Sequence, residues 1–142
     1  MSPQKEKTGI EEDQSKSDFQ RSEDFADVYA NNLRFEVSNW DLKLLFGQLE
    51  QSLGPQAVVQ HTGVTIPWQQ VKLTSYFLSI HVIVHEAQAG RIKILPTLVP
   101  EVAKQLPKEL KDSGITEEHW KTVRKLYEDF IAANPEAAPK NK

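Results

Sequence analysis

The stretch from Trp68 to Ala89 carries neither proline nor glycine, and its apolar residues recur at helical spacing. It reads as one long helix, with Pro67 in its first turn and Gly90 as its C-terminal cap. Val71, Leu78 and Val82 line one side, while Leu73, Phe77, Ile80 and Val84 form a second stripe. A helix that is apolar on two sides has to be covered on two sides. One small sheet can cover only one of them. The second cover is either the C-terminal segment Trp120 to Ile131 of the same chain or the same helix of a second chain. Small domains often complete their cores by self-association, so homo-oligomerisation is expected, with Leu73, Phe77, Ile80 and Val84 at the interface.

The residues before this helix follow a period of two. Leu33, Phe35 and Val37 alternate with Arg34 and Glu36, and Leu42, Leu44 and Phe46 resume the pattern after Ser38-Asn39-Trp40-Asp41. That predicts an antiparallel hairpin with one apolar face, in which Asp41 shapes the corner. Leu45 breaks the alternation and Trp40 sits at the turn, which suggests that the outer face is covered as well. After a turn at Gln51 to Pro55, the Val- and Thr-rich run from Ala57 to Ile66 predicts a third strand. Arg91 to Ile94 alternates again and predicts a short fourth. Pro96, Pro100 and Pro107 restrict the next segment to extended or short helical pieces. Thr116 is a fitting N-cap for a final amphipathic helix. Glu117 and Glu118 sit at its positive end, Ile115 is placed to staple onto Trp120, and Val123, Tyr127, Phe130 and Ile131 extend the stripe.

The expected fold class is α+β: a small antiparallel meander of three or four strands packed on one long helix, plus a C-terminal amphipathic helix. Residues 1–24 are polar and charged with almost no apolar material, so they are expected as a disordered tail, and 135–142 likewise. A single domain is expected over 25–134.

The composition excludes several kinds of chemistry. The chain of 142 residues has no cysteine. Disulfides, thiolate metal sites and cysteine nucleophiles are therefore ruled out, and a reducing cytoplasm is the expected setting. The net charge is −3 with no strongly basic face, which disfavours binding to nucleic acid. The most apolar run, Tyr76 to Val84, contains Ser79 and His81 and is too short to span a bilayer, and the N-terminal residues lack a signal-type apolar core. No phosphate loop, nucleophile elbow or catalytic Ser-His-Asp order is present. The sharpest chemical feature is His81-Val-Ile-Val-His85-Glu86. Two histidines one helical turn apart could share a metal ion, with His61 as a third ligand, but Val82 stands where a zinc protease carries its general base. Two histidines on the less buried side of an interfacial helix are the plainer reading. No catalytic residue, metal or cofactor is assigned, and an enzyme is not expected.

Tyr29-Ala30-Asn31-Asn32, then Ser38, Trp40-Asp41, Leu44 and Phe46-Gly47, form a pattern that resembles a widespread family of small bacterial and archaeal proteins known only as a domain of unknown function. The resemblance continues through Val64 to Ile66, the helix entry at Pro67 to Lys72, and Gly90, and spans roughly residues 27–95. It implies a compact sheet-plus-helix domain and no assigned reaction. The order of elements is also similar to that of SecB export chaperones, which present apolar grooves to unfolded clients; that is a likeness of fold alone. The function expected is a non-catalytic, homo-oligomeric binding module or adaptor for another protein, with Trp40, Leu45, Phe46 and Trp68 as candidate contacts. The alternatives are a chaperone that holds unfolded chains and a metal-dependent activity at the histidine pair.

Overall fold

A computed structural model describes residues 19–50 and 57–140. Its fold class is the expected one: a three-stranded antiparallel sheet, a long helix after the strands, and a C-terminal helix. The chain falls into two compact units, Met1–Trp68 and Gln69–Lys142.

In the first unit, β1 (Asn32–Val37) and β2 (Asp41–Leu49) form the hairpin, and β3 (Val58–Pro67) pairs antiparallel with β2, in the order β1-β2-β3. The register puts Leu33 opposite Phe46, Phe35 opposite Leu44 and Val37 opposite Leu42. On the other side of β2, Ile66, Val64 and Thr62 stand opposite Leu42, Leu44 and Phe46. Residues directly opposite share a face, so these nine side chains make one nearly continuous apolar face. Arg34, Glu36, Lys43, Leu45 and Thr65 occupy the reverse face. Leu42, on the central strand, is the one large apolar residue among those described that is buried, at 7% exposure.

The β2–β3 ladder shifts register after Phe46: Phe46 faces Thr62, but Gly47 faces Gln60, which leaves His61 as the extra residue of a bulge. Gly47 is required there by close approach. A Cβ on it would sit 2.8 Å from the Val59 carbonyl oxygen and 2.9 Å from Val58 Cγ1.

Of the expected N-terminal tail, residues 1–18 lie outside the described ones. Residues 19–24 are exposed, and a turn is closed by the Phe25 N–H on the Ser22 carbonyl at 3.1 Å. The turn expected at 51–55 also lies outside them.

Helix α1 (Trp68–Ala89) starts directly after Pro67, which is the last residue of β3 rather than the first of the helix. Gly90 closes it with φ +91°, a conformation that favours glycine. The second unit continues with a 3-10 turn at Pro96–Leu98, the short α2 (Lys108–Asp112), α3 (Glu117–Ala133) and a 3-10 turn at Pro135–Ala137. Thr116 caps α3 through a reciprocal box. Its hydroxyl accepts from the His119 N–H at 3.3 Å, and the His119 Nδ1 accepts from the Thr116 N–H at 3.2 Å.

The expected fourth strand does not form. In Arg91 to Ile94, carboxylates take the backbone donors that a ladder would use: Glu86 accepts from the Ile92 N–H at 3.0 Å and Glu136 from the Ile94 N–H at 3.4 Å. Arg91 donates to Glu136 Oε2 and to the Ala133 carbonyl, each at 2.7 Å. The same contacts hold the 3-10 turn Pro135–Ala137. This turn is docked, and Ala137 is only 1% exposed.

Glu136 is held below its ordinary value of 4.5, chiefly by its own backbone N–H, then by the Ile94 N–H and the Arg91 and Lys93 charges, with desolvation opposing them. A depressed carboxyl contributes while ionised and loses that contribution as pH falls through the lowered value. The docked turn is therefore expected to persist at neutral pH and to release only below about 4.5. Following the Ile94 and Ala137 amide resonances through an acid titration checks this, and Arg91→Ala should move the release to higher pH.

Candidate functional site

The corner between β1 and β2 is built by one serine. Ser38 Oγ donates to Asp41 Oδ1 at 2.7 Å and accepts from the N–H groups of Trp40 and Asp41 at 3.1 and 3.0 Å. The Ser38 N–H reaches the Asp41 carbonyl at 3.0 Å, and the Trp68 indole N–H donates to the Ser38 carbonyl at 3.0 Å. Asp41 thus shapes the corner, as its position suggests. The first residue of α1 locks it from a distance of 30 residues in sequence. The geometry holds Trp40 out at the apex, 82% exposed, with Trp68 beside the same corner and 40% exposed.

The other two candidate contacts stand elsewhere. Phe46 lies on the apolar face and Leu45 on the reverse face, both half-buried. Leu45 lies over Gly63, where a Cβ would stand in ordinary contact, 3.5 Å from Leu45 Cδ2. Trp40 and Trp68 are therefore brought together at one end, whereas Leu45 and Phe46 point to opposite faces.

Along α1 no side chain is buried. Leu73, Phe77, Ile80 and Val84 are all exposed, Phe77 to 52%. Tyr76 and Ile83 widen this stripe and are exposed too; they are absent from the expected interface, although their spacing places them beside it. Leu78 and Val82, on the other stripe, are likewise exposed. Lys72, Ser75, Ser79 and Glu86 form a polar strip between the two. Within the second unit α1 makes no extended contact with α2 or α3. Instead α3 carries the return segment, with the Trp120 indole N–H on the Ala103 carbonyl at 3.1 Å and Arg124 on the Lys104 carbonyl at 2.9 Å. The cover by Trp120 to Ile131 that a monomer would need is absent among the described residues.

His81 and His85 lie one turn apart on α1. Among the described residues there is no group of three or more His, Asp or Glu side chains that could hold a metal ion. His61 uses both ring nitrogens. Nε2 lies 3.0 Å from the Tyr29 carbonyl, which can only accept, so it carries the proton, and Nδ1 meets the Thr62 hydroxyl at 2.8 Å. Asn31 completes this end of the sheet, its Oδ1 accepting from the Leu49 N–H at 3.0 Å. No helix among the described residues is long and apolar enough to cross a membrane.

A family model described as a protein of unknown function (DUF3467) matches residues 1–94, which include all three strands and the whole of α1. No curated protein and no solved structure matches the chain.

Proposed function

This chain belongs to the DUF3467 family of proteins of unknown function, and on that premise we propose that it is a non-catalytic, homo-oligomeric module that binds another protein. The observation that carries the reading is α1: a helix of 22 residues, apolar on two sides, with no buried side chain. Fully covering one large apolar side chain contributes about 1.5–3 kcal/mol, and Leu73, Phe77, Ile80 and Val84 are each about half exposed, so together they forgo roughly 3–6 kcal/mol. Most of a helix's stability in a protein comes from packing its apolar face rather than from propensity, which adds to the demand for a cover. Trp40 and Trp68, held beside one rigid corner, supply aromatic anchors of the kind that dominate protein interfaces.

Purification of the tagged chain from its own host, followed by mass spectrometry, tests this. One partner in constant ratio is the expected result. A broad set of incompletely folded proteins would assign chaperone action instead, and recovery of the chain without any companion would overturn the partner half of the reading.

A further inference from the structure

We propose that two copies of this chain join edge to edge through β1, so that their three-stranded sheets become one continuous sheet. This rests on the reading of the chain as a homo-oligomer and names a seam separate from α1.

The sheet has two edges, and they differ. β3 carries the bulge at His61, a glycine at 63 and a proline at its end, all of which hinder a further strand. β1, Asn-Leu-Arg-Phe-Glu-Val, has none of these. The Ser38 N–H bonds the Asp41 carbonyl, so Ser38 and, by alternation, Glu36 and Arg34 turn their backbone groups toward β2. Leu33, Phe35 and Val37 therefore turn theirs outward, and among the described residues no backbone group bonds them there. All three side chains are exposed, Phe35 to 58% and Val37 to 72%.

A second β1 can add antiparallel about a two-fold axis through Phe35. Outward groups then meet outward groups: Phe35 faces Phe35 of the second copy, and Leu33 faces Val37. The side chains of these residues extend the apolar face across the seam. On the reverse face Arg34 comes directly opposite Glu36, twice by symmetry. Moving the axis by one residue in either direction sets Arg34 against Arg34, or Glu36 against Glu36. The edge is thus complementary to itself in the Phe35 register and repelled in the adjacent ones. Arg34 has no ion-pair or hydrogen-bond partner in its own chain among the described residues. Glu36 meets Lys43 through Oε2 at 3.2 Å, which leaves its second oxygen for an arginine.

Charge exchange at the seam is the test, read by sedimentation equilibrium on the full chain. Arg34→Glu and Glu36→Arg should each weaken self-association by roughly tenfold or more, since each turns two attractive pairs into two repulsive ones. An equimolar mixture of the two variants should recover it, because every pair across the mixed seam is again of opposite charge. That recovery cannot come from a variant that fails to fold. Phe35→Cys, in a chain with no other cysteine, should also form a symmetric disulfide on oxidation, because paired residues of this kind have Cα atoms about 5.5 Å apart. Unchanged association of both single variants, or a mixture that does not recover, would overturn the β1 seam while leaving a homo-oligomer built on α1. A wild-type chain that is monomeric throughout would overturn the seam and the homo-oligomeric reading together.

Discussion

Replacing Gly47 by alanine is expected to destabilise the sheet unit by about 1–3 kcal/mol, the usual cost of forcing extra volume into a site that cannot yield. The added Cβ would stand 2.8 Å from the backbone oxygen of Val59, and backbone cannot rotate away as a side-chain tip can. To relieve the contact, β2 and β3 must part at the bulge. That separation would also disturb the seat of His61, whose ring reaches the Tyr29 carbonyl. Urea unfolding followed by tryptophan fluorescence in a Trp120→Phe background, which leaves Trp40 and Trp68, measures the loss. Gly63→Ala is the matching control in the same strand pair. Its Cβ would meet only Leu45 Cδ2 at 3.5 Å, an ordinary contact, so the change should stay within about 0.5 kcal/mol. Equal losses at the two glycines would show that strand propensity, and not the close approach, sets the cost.

The second large effect is expected at α1. Aspartate at both Phe77 and Val84 places two charges on the wider apolar stripe, and any partner covering it would have to bury them unpaired. Loss of two central anchors with that penalty should lower affinity by at least roughly a hundredfold. Self-association through α1, read by sedimentation equilibrium, should disappear, while the dimer formed through β1 should remain. The helix itself tolerates the change, because aspartate costs at most about 0.7 kcal/mol per position relative to the best helix former. Ser79→Asp, on the polar strip, should leave self-association intact. An oligomer of the Phe77 and Val84 double variant no smaller than that of the wild type would remove α1 from the self-association interface.

Much of the fold was legible because its signals are local. Period two through Leu33 to Phe46, the absence of proline and glycine from Trp68 to Ala89, and Thr116 ahead of two glutamates each mark an element within a few residues. Arg91 to Ile94 shows where local reading stops. Its alternation is that of a strand, yet its amides are taken by Glu86 and Glu136, and the second lies 42 residues beyond the amide it accepts from. The candidate contacts divide in the same way. The place of Trp40 at a turn is legible in the sequence, but its 82% exposure, against an outer face expected to be covered, is not. That Trp68 would brace the same corner, and that Leu45 would lie over Gly63, depends on strands brought together from distant positions.

The sequence by itself determined the strands of the sheet, the long helix and its C-terminal cap, the split of α1 into two apolar stripes, and the family pattern from Tyr29 to Gly90. Periodicity and capping are properties of neighbouring residues, so they survive without knowledge of the rest of the chain. Only the tertiary structure decided the bulge that requires Gly47, the docking of Pro135–Ala137 on Arg91, the outward set of β1 amides and the lack of any buried side chain on α1. Each of these depends on which distant groups meet, and that depends on register and closure, where a shift of one residue turns every side chain to the other face.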